Sequence, residues 1–378
     1  MRRCVHRVAA RVRPARLRSA PFSSTASSHS KEDTAGAWPH AVTPEMTRSL
    51  LQNGYFVVRD AFPEPYLHAL KRQIAVLRDT DQLYPNATHI LLKNEQQPTL
   101  LQKHHILETE LALDTIHGDQ VSTLRTFFDD QVVFAPLQRA LPAWLGLSGY
   151  MVKLQYNEGH GGCFPLHFDS YGEDGKCVTA VLYLNDQWQD GDGGEIVLYP
   201  FPKQKIVIAP RFGDMVLFSS QQMLHRVMPA TMPRYCLTTW VYQSPMTASA
   251  AAERAAYYRQ PKLNDDASDN KSAAFHKMME KVLASSFRRH LMKRFYADEW
   301  TRSLHESHVQ TEAFAKYMAT HEHEMDVIEA ATTQMLRNFR AKDPVQPSTL
   351  PATCDELADV LLQDSEREFV NNLQLAWF

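Results

Sequence analysis

Glycine is scarce, at 14 of 378 residues, and no heptad or short repeat runs through the chain. Collagen-like and coiled-coil architectures are therefore excluded. Cysteine is scarcer still. The five thiols, at 4, 163, 177, 236 and 354, form an odd set with no Cys-x-x-Cys pair. Neither a disulfide framework nor a structural zinc site follows from that spacing, and free thiols in a reducing compartment are the plain reading. No uninterrupted apolar run is long enough to span a bilayer, which argues against an integral membrane protein. Positive charge is also missing where a phosphate-tracking protein needs it. Residues 1–31 hold seven Arg plus Lys31 and no acid, so 32 basic residues face 43 acidic ones in 32–378, a net of −11. Such a balance disfavours nucleic acid as a partner.

What is present is a globular composition, 44% hydrophobic and 22% charged, with length enough for a full core without staples. The opening MRRCVHRVAARVRPARLRSAPFSSTASSHS is rich in Arg and Ser, and Arg11, Arg13, Arg16 and Arg18 interrupt every candidate apolar stretch. It reads as an organellar transit segment, mitochondrial ahead of plastid; the bland alternative is a basic arm on a cytoplasmic protein.

Residues 43–53 and 63–79 read as helices around a strand at 54–58, and 120–142 as a further helix, within a region 40–145 that packs on the core. Short β-prone runs follow at 150–156, 177–184, 195–199, 205–208, 214–218, 224–228 and 235–242. Many short strands at regular spacing predict a sandwich or jelly roll over 146–245. Residues 247–378 read as a helical extension, with helices over 271–298, 301–340 and 354–373. Its run Arg288, Arg289, His290, Lys293, Arg294 reads as a solvated helix face.

Two His-x-Asp triplets occur. His117-Gly-Asp119 reads as a loop, as expected by chance in a chain with 17 histidines. His167-Phe-Asp169 is different, because His225 lies in a strand context 56 residues after Asp169. Residues at i and i+2 project to one face of a strand. Two imidazoles and a carboxylate with open positions make the facial triad of non-haem Fe(II) oxygenases. Arg234 stands nine residues past His225, and an antiparallel strand pair would bring it into the same mouth. There a guanidinium can fork onto a carboxylate, with the Tyr183 hydroxyl in support. Read singly, Arg234 is an ordinary ion-pairing residue and Tyr183 a packed strand aromatic.

Taken together, HFD at 167–169, GKCVTAVLYLNDQW at 175–188, GG at 193–194, APRFGDMVLFSS at 209–220, HRVMPA at 225–230 and RYCLTTW at 234–240 carry a resemblance. The stretch resembles the 2-oxoglutarate- and Fe(II)-dependent dioxygenases of the prolyl 4-hydroxylase superfamily. Within it, the stretch is most similar to the hypoxia-inducible-factor (egl-nine-type) prolyl hydroxylases. The resemblance implies a mainly β core, a double-stranded β-helix or jelly roll, with flanking helices. It implies iron on His167, Asp169 and His225, and the far carboxylate of 2-oxoglutarate on Arg234 and Tyr183. It also implies Tyr156 and Thr238 in the cosubstrate pocket, although the Tyr156–His167 loop is one residue longer than the family pattern. O2 as second cosubstrate, L-ascorbate to keep the iron reduced, and a peptide or protein substrate complete what it implies. It covers about ninety residues and does not extend visibly to the C-terminal third; the segment 81–110 has no recognisable counterpart.

Three functions remain open: a peptidyl-proline hydroxylase, a small-metabolite hydroxylase, and a non-enzymatic interaction protein working through its helical C-terminal third. Lesser motifs are His305-Glu-Ser-His308, one residue short of a zincin helix, and His321-Glu-His-Glu324; both read as exposed helix faces. Gly191-Asp-Gly-Gly194 reads as a turn. Cys163 and Cys177 flank the iron motif and read as core thiols, with redox sensing as the alternative.

Overall fold

The computed structural model describes residues 38–90, 99–111, 119–259, 270–283, 287–341, 350–361 and 363–378. Segment 1–31 and the pair His117-Gly118 lie outside them.

Helix α1 (Trp38–Ala41) leads into α2 (Pro44–Asn53), which starts where Thr43 Oγ1 accepts the Met46 N–H at 3.1 Å and Pro44 fills the first turn. It stops at Gly54, whose φ of 79° bends the chain into β1 (Tyr55–Val58). A Cβ at Gly54 would come within 2.3 Å of the Trp377 indole, so the turn and the close approach both require glycine. Helix α3 (Glu64–Asp79) buries Leu67, Leu70, Ile74 and Leu77 along one stripe.

The region 40–145 holds more strand than its sequence pattern predicts. Residues 81–110 form a hairpin, β2 (Tyr84–Ile90) and β3 (Thr99–Glu110), with 91–98 outside the described residues. The expected helix 120–142 is two, α4 (Ser122–Asp129) and α5 (Phe134–Ala140), parted at Gln131 with φ of 55°.

Strands β4 (Leu147–Asn157), β5 (Gly162–His167), β6 (Lys176–Tyr183), β7 (Ile196–Tyr199), β8 (Ile206–Ile208), β9 (Met215–Ser219), β10 (Leu224–Ala230) and β11 (Arg234–Gln243) complete two antiparallel sheets. The major sheet runs β1-β9-β6-β11-β4-β3-β2 and the minor one β5-β10-β7-β8. Together they form the jelly roll. Strands β6, β9 and β11 are buried on both faces, between the barrel interior and the helices outside, and so read as near-continuous apolar runs. Two details differ from the sequence reading. β5, which ends at His167, carries Gly162 and Pro165 and looks like a turn until its pairing with β10 is seen. Its proline is tolerated because β5 is an edge strand. And β10 and β11 are not partners: they belong to different sheets, so Arg234 reaches the mouth from across the barrel.

The C-terminal third comprises α6 (Ala248–Tyr257), α7 (Asn270–Leu283), α8 (Arg288–Phe295), α9 (Ala297–Ser307), α10 (Glu312–Ala341), α11 (Cys354–Leu361) and α12 (Asp364–Asn372). It is no appendage, because one hydrophobic cluster runs from the barrel strands through Met292, Trp300, Leu336 and Trp377. The basic run is not a free face either. Arg288 is buried and donates to the Phe201 carbonyl at 3.1 Å, and Lys293 pairs with Glu324 at 2.7 Å. The two His-rich motifs are exposed in part, at His305, Glu306, Glu322 and His323, but one histidine of each is buried and anchored: His308 bonds Thr88 (3.1 Å) and His321 bonds Thr301 (3.1 Å). Among the described residues no helix is long and apolar enough to cross a membrane.

Candidate active site

His167 ends β5, Asp169 follows in the loop, and His225 lies opposite His167 in the β5–β10 register. One donor atom from each lies within 4.8 Å of the other two, and among the described residues no other such group of metal-ligating side chains occurs. The imidazole centroids are 4.2 Å apart; Asp169 reaches His167 Nε2 at 3.7 Å and His225 Nε2 at 3.9 Å. Each ring is oriented by its own strand. His167 Nδ1 meets the Pro165 carbonyl at 2.7 Å and His225 Nδ1 the Met223 carbonyl at 3.1 Å. A carbonyl only accepts, so both Nδ1 atoms carry the proton and both Nε2 lone pairs face the centre.

The charge state suits a cation. Burial alone would raise the Asp169 carboxyl, but the two imidazoles outweigh it and hold the group well below the usual carboxylate range. Burial lowers His225 to about 4, so it is a neutral donor at pH 7. Asp169 Oδ2 accepts from Thr179 Oγ1 at 2.6 Å, and Thr179 meets Ser220 Oγ at 2.8 Å. Neither Thr179 nor Ser220 stands out in the sequence. Thr179 could be found by counting back four from Tyr183 along one strand face.

Across the barrel, on β11, stands a cation without a counter-ion. Arg234 is 4% exposed, and among the described residues no carboxylate pairs with it. Its guanidinium lies 5.0 Å over the Tyr183 ring and donates weakly to Cys236 Sγ at 3.5 Å. Arg234 Nε and the hydroxyl of Tyr183, which is 0% exposed, have no hydrogen-bond partner. Burial pushes the Tyr183 phenol up, so it remains a donor. Gly194 (φ 76°) lets the β6–β7 turn lie against the arginine stem, where a Cβ would sit 3.0 Å from Arg234 Cδ. Orphaned donors of this kind, buried together, fit a bound carboxylate. The donor set at one end thus fits a divalent transition metal, and the set at the other fits one end of a dicarboxylate.

Thr238 shares the face of Arg234 and donates to Gln155 Oε1 at 3.4 Å. Tyr156 does not join them. It pairs with Tyr235 in the β4–β11 register, and Arg78 of α3 lies 5.3 Å over its ring, on the outer face of the sheet. Alternation along β4 puts its neighbour Gln155 inside instead, opposite Cys236. Beyond Thr238, Trp240 lies between Lys176 (4.4 Å) and Lys153 (5.5 Å). The thiols of Cys163 and Cys177 are buried and pushed up to about 12, which keeps them unreactive near neutrality.

Residues 151–242 match the 2OG-Fe(II) oxygenase superfamily model. This stretch is a 2OG-Fe(II) oxygenase domain. The domain is 34% identical over 95 residues to Egl nine homolog 1 of Rattus norvegicus, covering 24% of this chain and 28% of that protein. It is 35% identical over 85 residues to the hypoxia-inducible factor prolyl hydroxylase of Caenorhabditis elegans, covering 22% of this chain and 12% of that protein. The chain thus spans under a third of the length of these curated relatives. A crystal structure of a prolyl 4-hydroxylase from Phytophthora capsici matches more widely, at 28% identity and a TM-score of 0.60 over 85% of this chain and 99% of that one. An alignment of that extent runs beyond the oxygenase domain into the C-terminal helices.

Proposed function

We propose that this protein is an Fe(II)- and 2-oxoglutarate-dependent dioxygenase that hydroxylates a substrate C–H, that of a peptidyl proline, with release of succinate and CO2. The observation that carries the reading is the buried, unpaired Arg234 on β11, across the barrel from the His167 and His225 donors. A lone metal site needs no such cation; a keto-diacid bridging the two does.

When bound, the ferrous ion supplies oxygen activation and a Lewis acid for the keto acid. The chain's own groups do the rest. His167, Asp169 and His225 would hold the metal and leave positions open. Arg234 and Tyr183 would bind and orient the far carboxylate, and Thr238 would line the space between. Thr179 keeps the second oxygen of Asp169 occupied, so that one oxygen faces the centre. The barrel wall would keep water from the far end, where Arg234 and Tyr183 are buried.

A proline-bearing peptide is favoured over a small metabolite by the names of the relatives and by the hairpin at the mouth. Strand β3 leaves β4 and turns toward β5, where Ile106 packs with Phe164 and Val227 and Lys103 lies 5.3 Å over the Phe164 ring. A two-stranded wall packed beside β5 would suit an extended chain. Ascorbate as the reductant and import into mitochondria through residues 1–31 belong to the same proposal; a fluorescent fusion with and without those residues tests the second.

The deciding experiment incubates the purified full chain with Fe(II), 2-oxoglutarate and ascorbate and measures succinate by mass spectrometry. Iron-dependent succinate is expected, and proteomics of cells with and without the protein is expected to show +O on proline. An iron-loaded sample that forms no succinate with any peptide pool would sink the reading.

A further inference from the structure

The C-terminal helices touch the barrel beside every metal donor. β5 is the outer strand of the minor sheet, and α9 covers its open edge. The Leu166 N–H, next to His167, donates to Ser303 Oγ at 3.0 Å, and Ser303 in turn donates to the Trp300 carbonyl at 2.8 Å. Phe168, on the other side of His167, packs on Trp300 with centroids 6.4 Å apart.

His225 is held in the same way. Arg226 follows it directly and is 2% exposed. Its Nη2 donates to Glu306 at 2.6 Å and its Nη1 to Glu299 at 3.5 Å, both on α9. Glu299 also accepts from the Tyr199 hydroxyl of the neighbouring strand β7. Asp169 is approached from α8: Arg289 donates to the Tyr171 carbonyl at 3.3 Å and to the Gln221 carbonyl at 2.6 Å. One guanidinium thereby ties the loop after Asp169 to the turn before His225.

A buried guanidinium between two carboxylates adds little net stability, since desolvation offsets most of the attraction; what it supplies is direction. An edge strand with no neighbour on one side slides and frays unless something else bonds its amides. The centre, meanwhile, depends on two strands and a loop keeping their donors within a few ångströms. We propose that α8 and α9 are positioning elements of the metal centre: Ser303, Arg226 with Glu299 and Glu306, and Arg289 set the donor spacing from outside the barrel. This rests on the metal reading given above. It also gives the C-terminal third a role in the chemistry in place of a separate interaction role.

The test uses the full-length apo protein and Co(II) as the probe, with affinity from calorimetry and donor geometry from the visible absorption bands. Ser303→Ala and the double variant Glu299→Gln/Glu306→Gln are expected to weaken Co(II) about tenfold or more and to alter the bands. Leu336→Ala, a buried change on α10, which makes none of the hydrogen bonds named above, is expected to lower the melting temperature and leave Co(II) affinity within about twofold. If the wild type takes up no Co(II), the metal reading itself fails. If the wild type binds and the α9 variants match it, the positioning role is wrong and the metal reading stands. Equal weakening by Leu336→Ala at the same loss of melting temperature would also overturn the positioning role, since general loosening would then explain it.

Discussion

Asp169, half-buried, and Arg234, buried, are both charged, and the fold treats them differently. Asp169 has two imidazoles, a threonine hydroxyl and a pKa held low; Arg234 has a tyrosine face and a thiol. Replacing Asp169 by Ala is expected to abolish succinate formation, measured by mass spectrometry on iron-loaded protein. Thr179→Val keeps the shape and removes one hydrogen bond, so it is expected to cost only about 1 kcal/mol of stability while weakening metal binding roughly 10–100-fold. Arg234 gives a test of opposite sign. Exchanging an unpaired buried cation for Met is expected to stabilise the apo protein by about 1 kcal/mol, which for a chain of this length raises the melting temperature by roughly 1–1.5 °C. The same variant should lose the stabilisation that 2-oxoglutarate gives the metal-loaded wild type. A drop in apo stability would mean that Arg234 is already paired.

At the scale of elements, α9 and α10 bring two buried histidines with them. His308 and His321 are each lowered to about 4 from 6.5, first of all by burial. The unfolded chain takes up a proton on each as pH falls through 6.5, while the folded chain resists until about 4. Folding stability contributed by these sites is therefore full above pH 6.5 and is lost progressively down to pH 4. The loss is on the order of 2–3 kcal/mol for each. Melting temperatures of the apo protein between pH 7.5 and 4.5 should fall accordingly, and His321→Gln should flatten part of the slope. His308 also links α9 to the β2–β3 hairpin through Thr88, so acidification is expected to loosen the mouth before the barrel. Hydrogen exchange at 99–110 in that pH range checks the order.

For the molecule as a whole, one continuous core implies one folding unit. The Trp377 indole rests on Gly54 and under Arg288, and its carbonyl accepts from Ser219 at 2.5 Å, so the chain's last residues pack on its first described helices. A single calorimetric transition is expected. A chain cut after β11 should fail to give soluble, cooperatively folding protein, because the minor sheet would lose its cover. Two transitions, or a stable barrel fragment, would show that the C-terminal third is a separate domain after all.

The cluster of His167, Asp169 and His225, the candidates Arg234 and Tyr183, and the strand-rich middle are legible in the sequence because each rests on local information: residue type, spacing and period-two alternation. Most strands and the helices α2 and α3 fall within a residue or two of where their patterns place them. The metal strand β5 is not legible, since Gly162 and Pro165 mimic a turn and only pairing with β10, distant in sequence, makes it a strand. Tyr156 fails for a related reason: a one-residue offset along β4 reverses its face, and the register is set by β11. The buried state of Arg288, His308 and His321 is equally invisible in sequence, because a helix's charged residues look solvated until another element covers them. Chemistry is thus written in single residues and short spacings, whereas burial, face and partnership depend on contacts between segments far apart in the chain, which only the folded structure brings together.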